Sequence, residues 1–222
     1  KRFETCLEKN VNKLDLLFYI IDINLVDRPE EFNTIKYILN LIKKQNLFLV
    51  VIVNKVDNLT YNSDSKKPEF NDININLQYK KLKTIIHSES EKLNIKKNIL
   101  YIIPTSLLNA YIYRLLKLNK NAIEDFDDNH INEFGANEFG KKKWRKLNND
   151  EKKKKIIEHS LNSNHDECLL DSGFTYIIQT FKNFIKTHQL TIVSKRINIY
   201  YNEMSNKTKT IEEIIELIIK IE

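Results

Sequence analysis

The sequence predicts an α/β fold in which a parallel sheet is followed by a helical extension. Apolar runs without polar alternation, at 16–21, 47–53 and 99–103, are typical of strands buried on both faces of a parallel sheet. Segments with helical spacing separate these runs, as the crossovers between parallel strands require. The chain contains only Gly 3 and Pro 3, which favours long helices over a sandwich of many short strands.

The first half of the chain reads as alternating helices and strands. Apolar residues four positions apart predict a short amphipathic helix over 1–13. Pro29, followed by two glutamates, predicts the start of a helix that leads into the strand at 47–53. Strand, helix and strand in this order form a βαβ unit, whose crossover is right-handed.

The second half is predicted to contain more helix. The polar segment 58–72 predicts a loop at the ligand edge of the sheet, and helices are expected over 73–93 and 107–118. Residues 119–135 are acidic and predict an irregular surface excursion. Apolar stripes between 170 and 221 predict the packed helices of a bundle.

Composition limits the cellular setting and the chemistry. The net charge of +6 permits contact with anionic lipid or nucleic acid without requiring it. With Cys 2, the chain has no disulfide framework, so we expect a cytoplasmic protein, which can lie peripherally at a membrane. The histidines are scattered without ligand spacing, so no metal ligands are assigned. No Cys/His or Ser/His/Asp set comes with a supporting motif.

The sequence Asn54-Lys55-Val56-Asp57 directly follows the predicted strand at 47–53. Ligands of parallel sheets bind at the carboxyl ends of the strands, which is where these side chains fall. Guanine offers two adjacent donors, its ring N1–H and its amine, and one carboxylate accepts both, so Asp57 would read the base. Asn54 can donate to N7 and tie neighbouring loops together, and the stem of Lys55 can cover the base face.

A second predicted strand also ends in small polar residues. The run at 99–103 ends in Pro104-Thr105-Ser106, and this tip should lie beside the first one in a parallel sheet. An unrelated α/β protein with a chance Asn-Lys-x-Asp tetrapeptide is the alternative explanation. The predicted guanine-binding residues are Asn54, Lys55, Asp57, Thr105, Ser106 and Leu107.

These motifs resemble those of P-loop GTPases, and other segments resemble dynamin-like large GTPases more specifically. The stretch 103–111 is similar to the dynamin-like loop that follows the base-reading strand. Phe139 to Arg145 is similar to a Gly-basic-basic-Trp-Arg segment of a bacterial dynamin-like, replication-clamp-binding branch. Residues 171–174, with the spaced apolar residues after them, resemble the helix that closes dynamin-type G domains. Eukaryotic dynamins usually have Thr where Asn54 stands, which favours a bacterial-like or divergent branch.

The resemblance covers roughly residues 14–187 and implies a function for the whole protein. It implies GTP hydrolysis with Mg²⁺, a Ser106 loop whose backbone N–H groups meet the guanine carbonyl, self-association through the G domain and coupling to membrane remodelling. Residues 1–187 would be the C-terminal part of a dynamin-type G domain, with an acidic and basic surface excursion near 119–150. Residues 188–222 would begin a helical bundle or stalk.

The phosphate-binding half of such a domain is not found in the sequence. It contains no Gly-x-x-x-x-Gly-Lys-[Ser/Thr] loop, and no Asp-x-x-Gly switch precedes residue 14. We therefore expect a fragment that lacks the phosphate-loop half, with the catalytic residues and Mg²⁺ ligands upstream. These residues alone should bind guanine weakly and hydrolyse nothing.

Alternative functions follow from the same residues. A ribosome-assembly or translation-type GTPase would share the base-reading motif, and a degenerate G domain would act as a binding module without hydrolysis. The basic cluster Lys141–Lys146 around Trp144 suggests contact with anionic membrane, or with nucleic acid, which is less favoured and predicts steep salt dependence. The simpler explanation of this cluster is a solvated helix end with Trp144 packed against the domain.

Overall fold

A computed structural model describes most of the chain, and the predicted helix at 1–13 lies outside the described residues. The described ranges are 14–45, 47–56, 59–61 and 68–219. The chain divides into two compact units, 1–178 and 179–222.

The first unit contains a parallel sheet and a short antiparallel ribbon. The strands are β1 (Leu16–Asp22), β2 (Phe48–Asn54), β3 (Leu59–Tyr61), β4 (Pro68–Phe70) and β5 (Leu100–Pro104). The sheet has the order β1-β2-β5 with both pairings parallel, which confirms the α/β prediction. β2 lies in the middle and is covered on both faces, which explains its unbroken apolar run.

The antiparallel pairing of β3 with β4 differs from the loop predicted over 58–72. Leu59 in β3 is buried, and Phe70 in β4 packs against the same core and against the Tyr79 ring, with centroids 4.9 Å apart. This segment has few apolar residues among many polar ones, so its sequence gives little indication of strands. The two short strands form because those few apolar residues pack against the core.

Helices make up most of the remaining structure. They are α1 (Pro29–Gln45), α2 (Ile73–Lys92), α3 (Leu107–Leu118), α4 (Asp128–Phe139), α5 (Lys141–Trp144), α6 (Asn149–Asn162), α7 (His165–Asp171) and α8 (Phe174–Ile219), with short 3₁₀ turns at Ile23–Leu25, Lys97–Ile99 and Lys120–Asp125. The predictions for α1, α2 and α3 are confirmed. Asp72 caps α2 by accepting from the Asn74 N–H at 2.7 Å, and Asn148 forms a capping box with Glu151 at α6.

The middle of the sheet is packed on both faces, as the apolar run of β2 requires, whereas Phe18 and Ile20 of the outer strand β1 are exposed, unlike the buried strand expected at 16–21. Buried residues of α1 and α2, including Leu39, Ile42 and Leu82, cover one face. On the other face, Val50 and Ile52 pack with Ile103 and Ile177, together with the half-buried Leu107 and Phe174. The first turns of α3 and α8 are therefore fixed against the carboxyl half of the sheet.

A separate helical cluster occupies the region predicted to be an irregular excursion. Residues 119–135 instead form a 3₁₀ turn and most of α4, and Ile131 and Phe134 are buried against α3 and α6. The acidic residues lie mostly on the solvent side, while a few apolar ones at helical spacing face inward. The many charged residues of this segment therefore make the helical spacing of its few apolar residues hard to recognise in the sequence.

Trp144 is buried in this cluster with 2% of its surface exposed. Its ring stacks on Phe139 with centroids 5.4 Å apart, and its Nε1 donates to Asn132 Oδ1 at 3.3 Å. The packing alternative for Trp144 is therefore confirmed. The neighbouring lysines and Arg145 are exposed, so the basic charge of this segment faces solvent without an aromatic anchor beside it.

Residues 179–222 form the second unit, and their described part is a continuation of α8. The separate bundle helices predicted from the apolar stripes are joined into one helix, because no Gly or Pro follows Gly173 to interrupt it. One stripe of this helix is exposed: Leu190, Val193, Ile197, Tyr200, Tyr201 and Met204. Among the described residues, no helix has the length and apolar character needed to cross a bilayer.

Gly135 lies directly under the Trp144 ring, and a Cβ at this position would overlap the indole. We expect Gly135→Ala to lower the free energy of unfolding by about 1–3 kcal/mol, because the overlap outweighs the better helix propensity of Ala. Trp144 is the single tryptophan, so its fluorescence in a urea titration reports the change directly. Glu133→Ala, on the exposed side of the same helix, should leave stability nearly unchanged. Equal stability of Gly135→Ala and wild type would contradict this packing.

Candidate functional site

The carboxyl ends of the three parallel strands lie at one edge of the sheet. Asp22 at the end of β1 is the register partner of Asn54 at the end of β2, and Val53 is the partner of Pro104 at the end of β5. The sequence-predicted residues that follow β2 and β5 are therefore neighbours in space. Such an edge is where open parallel sheets bind ligands.

Backbone hydrogen bonds continue the pairing beyond the strands. The Thr105 N–H donates to the Val53 carbonyl at 2.7 Å, and the Val56 N–H donates to the Thr105 carbonyl at 3.1 Å. Thr105 and Val56 are both fully buried. The two loop tips are thus held together by groups that water cannot reach, so their relative position is fixed.

Asn54 adds a side-chain link between the tips. Its Oδ1 accepts a hydrogen bond of 3.0 Å from the Leu107 N–H, in the first turn of α3. This N–H has no acceptor within the helix, so the Asn54 amide supplies one. The bond joins neighbouring loops, as the sequence predicts for Asn54, and it orients the Nδ2 group of that amide as a donor.

Lys55 has a left-handed backbone with φ of 62°. For a residue with a Cβ this conformation costs about 1–2 kcal/mol, and such strain is concentrated at functional sites. The Lys55 ammonium pairs with Asp22 Oδ2 at 2.9 Å. The lysine stem therefore reaches across the ends of β2 and β1, along the edge where a ligand would lie.

The same contacts act on the ionisation of Asp22. Partial burial opposes its ionisation, but the Asn24 N–H and the Lys55 ammonium outweigh that effect and hold the pKa of the carboxyl below its usual value. Asp22 Oδ1 accepts from the Asn24 N–H at 2.9 Å. A permanently charged Asp22 keeps Lys55 in place at neutral pH.

Ser106 is buried at the N-cap of α3, and its backbone N–H donates to the Ser172 carbonyl at 2.9 Å. The resemblance to P-loop GTPases implies that backbone N–H groups of this loop meet the guanine carbonyl. Those of Ser106 and Leu107 are bonded within the protein. The next N–H groups of the α3 first turn have no acceptor within the helix, and a helix N-terminus favours a ligand carbonyl or anion.

Gly173 sets the contact between this loop and the start of α8. Its φ is 77°, and a Cβ at this position would overlap the Pro104 carbonyl oxygen and crowd Thr105. Only glycine combines that backbone with so close an approach. The segment 171–174, singled out by its resemblance to dynamin-like proteins, therefore lies against the Thr105–Ser106 tip.

Five of the six predicted guanine-binding residues are described, and they lie together at this edge. The sixth, Asp57, lies outside the described residues. Comparison of the chain with protein-family models, with curated proteins and with solved structures finds no match. The function must therefore be argued from the chemistry of the site.

A polar cavity of about 430 Å³ adjoins the Ser106 side of this edge. Asn109 Nδ2 donates to Glu138 Oε1 at 3.1 Å, and His159 Nε2 lies 3.1 Å from Tyr113 Oη and 3.6 Å from Glu138 Oε2. No sequence motif indicates this cluster, because its members come from α3, α4 and α6. Only the spacing of four residues between Asn109 and Tyr113 could have indicated a shared helix face.

Asn109 is 7% exposed, and no donor from the described residues reaches its Oδ1. The amide cannot be turned over to relieve this, because Glu138 needs a donor and the Nδ2 group supplies it. A buried acceptor without a donor costs about 1–3 kcal/mol. Asn109 therefore carries a buried acceptor, unpaired among the described residues, beside the cavity wall.

Asp22→Asn should lower stability at neutral pH by removing the charge that holds Lys55. Because the folded pKa of Asp22 is depressed, its stabilising effect is present above the unfolded value of 3.8 and is lost as the pH falls through the folded pKa. Urea unfolding from neutral pH into the acid range should therefore show wild type and Asp22→Asn converging. Asp125→Asn, an exposed change of the same kind, is the control. A stability difference that persists unchanged in acid would contradict the ion pair.

Proposed function

We propose that this chain is the guanine-nucleotide-binding part of a dynamin-like GTPase, which hydrolyses GTP to GDP and phosphate. The observation that carries the proposal is the joining of the Asn54-Lys55 and Thr105-Ser106 tips at the ligand edge of a parallel sheet. Two separate motif matches would rarely lie side by side at this edge by chance. Each tip carries the residue types that guanine recognition needs.

In this proposal each residue has a defined role. The Asp57 carboxylate accepts from the guanine N1–H and amine, which adenine does not offer as a pair. Asn54 Nδ2 donates to N7 while its Oδ1 stays on the Leu107 N–H. The Lys55 stem covers one face of the base, and its ammonium stays on Asp22. The first turn of α3 supplies donors to the guanine carbonyl.

Hydrolysis requires parts that these 222 residues do not contain. The phosphate loop and Mg²⁺ ligands are proposed to lie on strands that pair with the outer edge of β1. In support, β1 pairs only with β2 among the described strands, and its Phe18 and Ile20 are exposed. Exposed aromatic and branched residues on a strand are typical of a surface that another element covers.

The second unit supports the stalk part of the proposal. Its helix presents an exposed apolar stripe with near-heptad spacing, which is typical of helices that pack against a partner helix. Self-association would bury this stripe or the nucleotide face. The exposed lysines of 141–146 could meet anionic lipid by charge alone, since Trp144 is buried.

The proposal is tested by exchanging the base-reading carboxylate. Xanthine has a carbonyl where guanine has its amine, so Asp57→Asn should bind XDP more tightly than GDP and reverse the wild-type order. A bidentate contact of this kind gives about ten- to hundredfold discrimination. Fluorescent GDP and XDP should be titrated into the natural chain that contains residues 1–222, with GTP hydrolysis measured alongside.

Asp125→Asn is the matched control and should keep the wild-type preference for GDP. GDP binding without hydrolysis would favour the degenerate binding module. GTP hydrolysis stimulated by ribosomes, with no membrane effect, would favour the translation-type GTPase. If the wild type binds neither nucleotide at micromolar concentration, the guanine-binding proposal is wrong.

A further inference from the structure

The exposed apolar stripe of the second unit has a regular spacing along α8. Its successive members are Leu190, Val193, Ile197, Tyr200 and Met204. The steps of three and four residues between them are those of the a and d positions of a heptad, which face a partner helix in a coiled coil. Leu190 keeps 77% of its surface exposed and Ile197 keeps 61%. Such an open stripe over about four helical turns is typical of an interaction surface.

The edge of the stripe carries two opposite charges. Arg196 and Glu203 each precede an a residue by one position, so both occupy g positions, one heptad apart on the same edge. Both side chains are exposed. Arg196 also interacts within its own chain, but a guanidinium has five N–H donors and can bind a further carboxylate.

Two copies of this helix are complementary when they run antiparallel. The residue order is then reversed in the second helix, so that Ile197 faces Tyr200 of the second copy and Val193 faces Met204 of the second copy. In this register Arg196 lies across from Glu203 of the second copy, and the two-fold axis forms the same pair twice. The stripe is therefore complementary to itself in both apolar spacing and charge.

A parallel pair fits these residues less well. In register, it would bring Lys207, which occupies a d position, against Lys207 of the second copy in the core, where like charges are costly. It would also place Arg196 beside Tyr201 and Glu203 beside Thr208, so neither charge would meet an opposite one. In the antiparallel pair, Lys207 lies at the end of the stripe, where its ammonium can reach water.

We propose that α8 binds α8 of a second copy of this chain as an antiparallel coiled coil, centred between Ile197 and Tyr200. An isologous interface of this kind needs one surface that matches itself, and the reciprocal pairing of Arg196 with Glu203 supplies that match. The second copy therefore covers the stripe and leaves the nucleotide face open. The pairing does not depend on guanine binding, so it can be tested without nucleotide.

Sedimentation of the full chain should show a dimer at micromolar concentration. Arg196→Glu should weaken the dimer by about tenfold, because the two-fold axis replaces two attractive pairs with two repulsive ones. Combining Arg196→Glu with Glu203→Arg should restore the wild-type affinity, since the exchanged charges still meet. Lys209→Glu is the control, because this exposed residue occupies an f position on the far side of the helix, and it should leave the dimer unchanged.

Disulfide trapping tests the orientation of the two helices. Val193→Cys combined with Met204→Cys should give a covalent dimer under mild oxidation, because these positions face each other in the antiparallel register. Neither single substitution should do so, since each residue lies about 16 Å along the axis from its own copy, beyond the reach of a disulfide. The wild type, oxidised in the same way, controls for the Cys 2 of the natural chain.

Ile197→Lys places a charge in the central layer and should abolish the dimer. The fluorescence of Trp144 should stay unchanged in this variant, which shows that the first unit remains folded. The proposal is overturned if the wild type is monomeric, if the exchanged charges fail to restore the dimer, or if the dimer survives Ile197→Lys. A covalent dimer formed by either single cysteine variant would indicate a parallel pair and would also overturn it.

Discussion

The buried hydrogen bonds between the ends of β2 and β5 are the constraint on which the site depends. Thr105 donates to Val53 and receives a bond from Val56, and Asn54 holds the first turn of α3 through Leu107. These bonds continue the backbone pairing of the sheet beyond the ends of β2 and β5. Because they are shielded from water, they position the loops rigidly, and the strained backbone of Lys55 is maintained at the same edge.

Helix α3 links the candidate nucleotide edge to the polar cavity. Its first turn is tied to Asn54 and to the Ser172 carbonyl, and Asn109 and Tyr113 of the same helix line the cavity. A ligand in the cavity would lie beside the helix whose N-terminus adjoins the Asn54–Lys55 and Thr105–Ser106 tips. The helical cluster around Trp144 supports this arrangement, because α4 and α6 bring Glu138 and His159 to α3.

Local sequence patterns predicted the parallel sheet and the helices α1, α2 and α3, whose periodicity and caps agree with their tertiary surroundings. The patterns failed where few apolar residues decide the structure. Residues 119–135 were expected to be irregular, but Ile131 and Phe134 find a core only when α3 and α6 are present. The stripes after residue 170 were assigned to separate helices, although neither Gly nor Pro follows Gly173 in the sequence.

The sequence by itself determined that Asn54-Lys55 and Thr105-Ser106 each follow an apolar run of the kind that forms a buried strand, since an apolar run and the residues after it are local features. Only the tertiary structure decided that Asn54 binds the Leu107 N–H, that Lys55 pairs with Asp22, and that Gly173 lies against Pro104. It alone also brings Asn109, Glu138 and His159 together. These contacts join residues far apart in the chain, and their partners are selected by packing geometry, which local spacing does not encode.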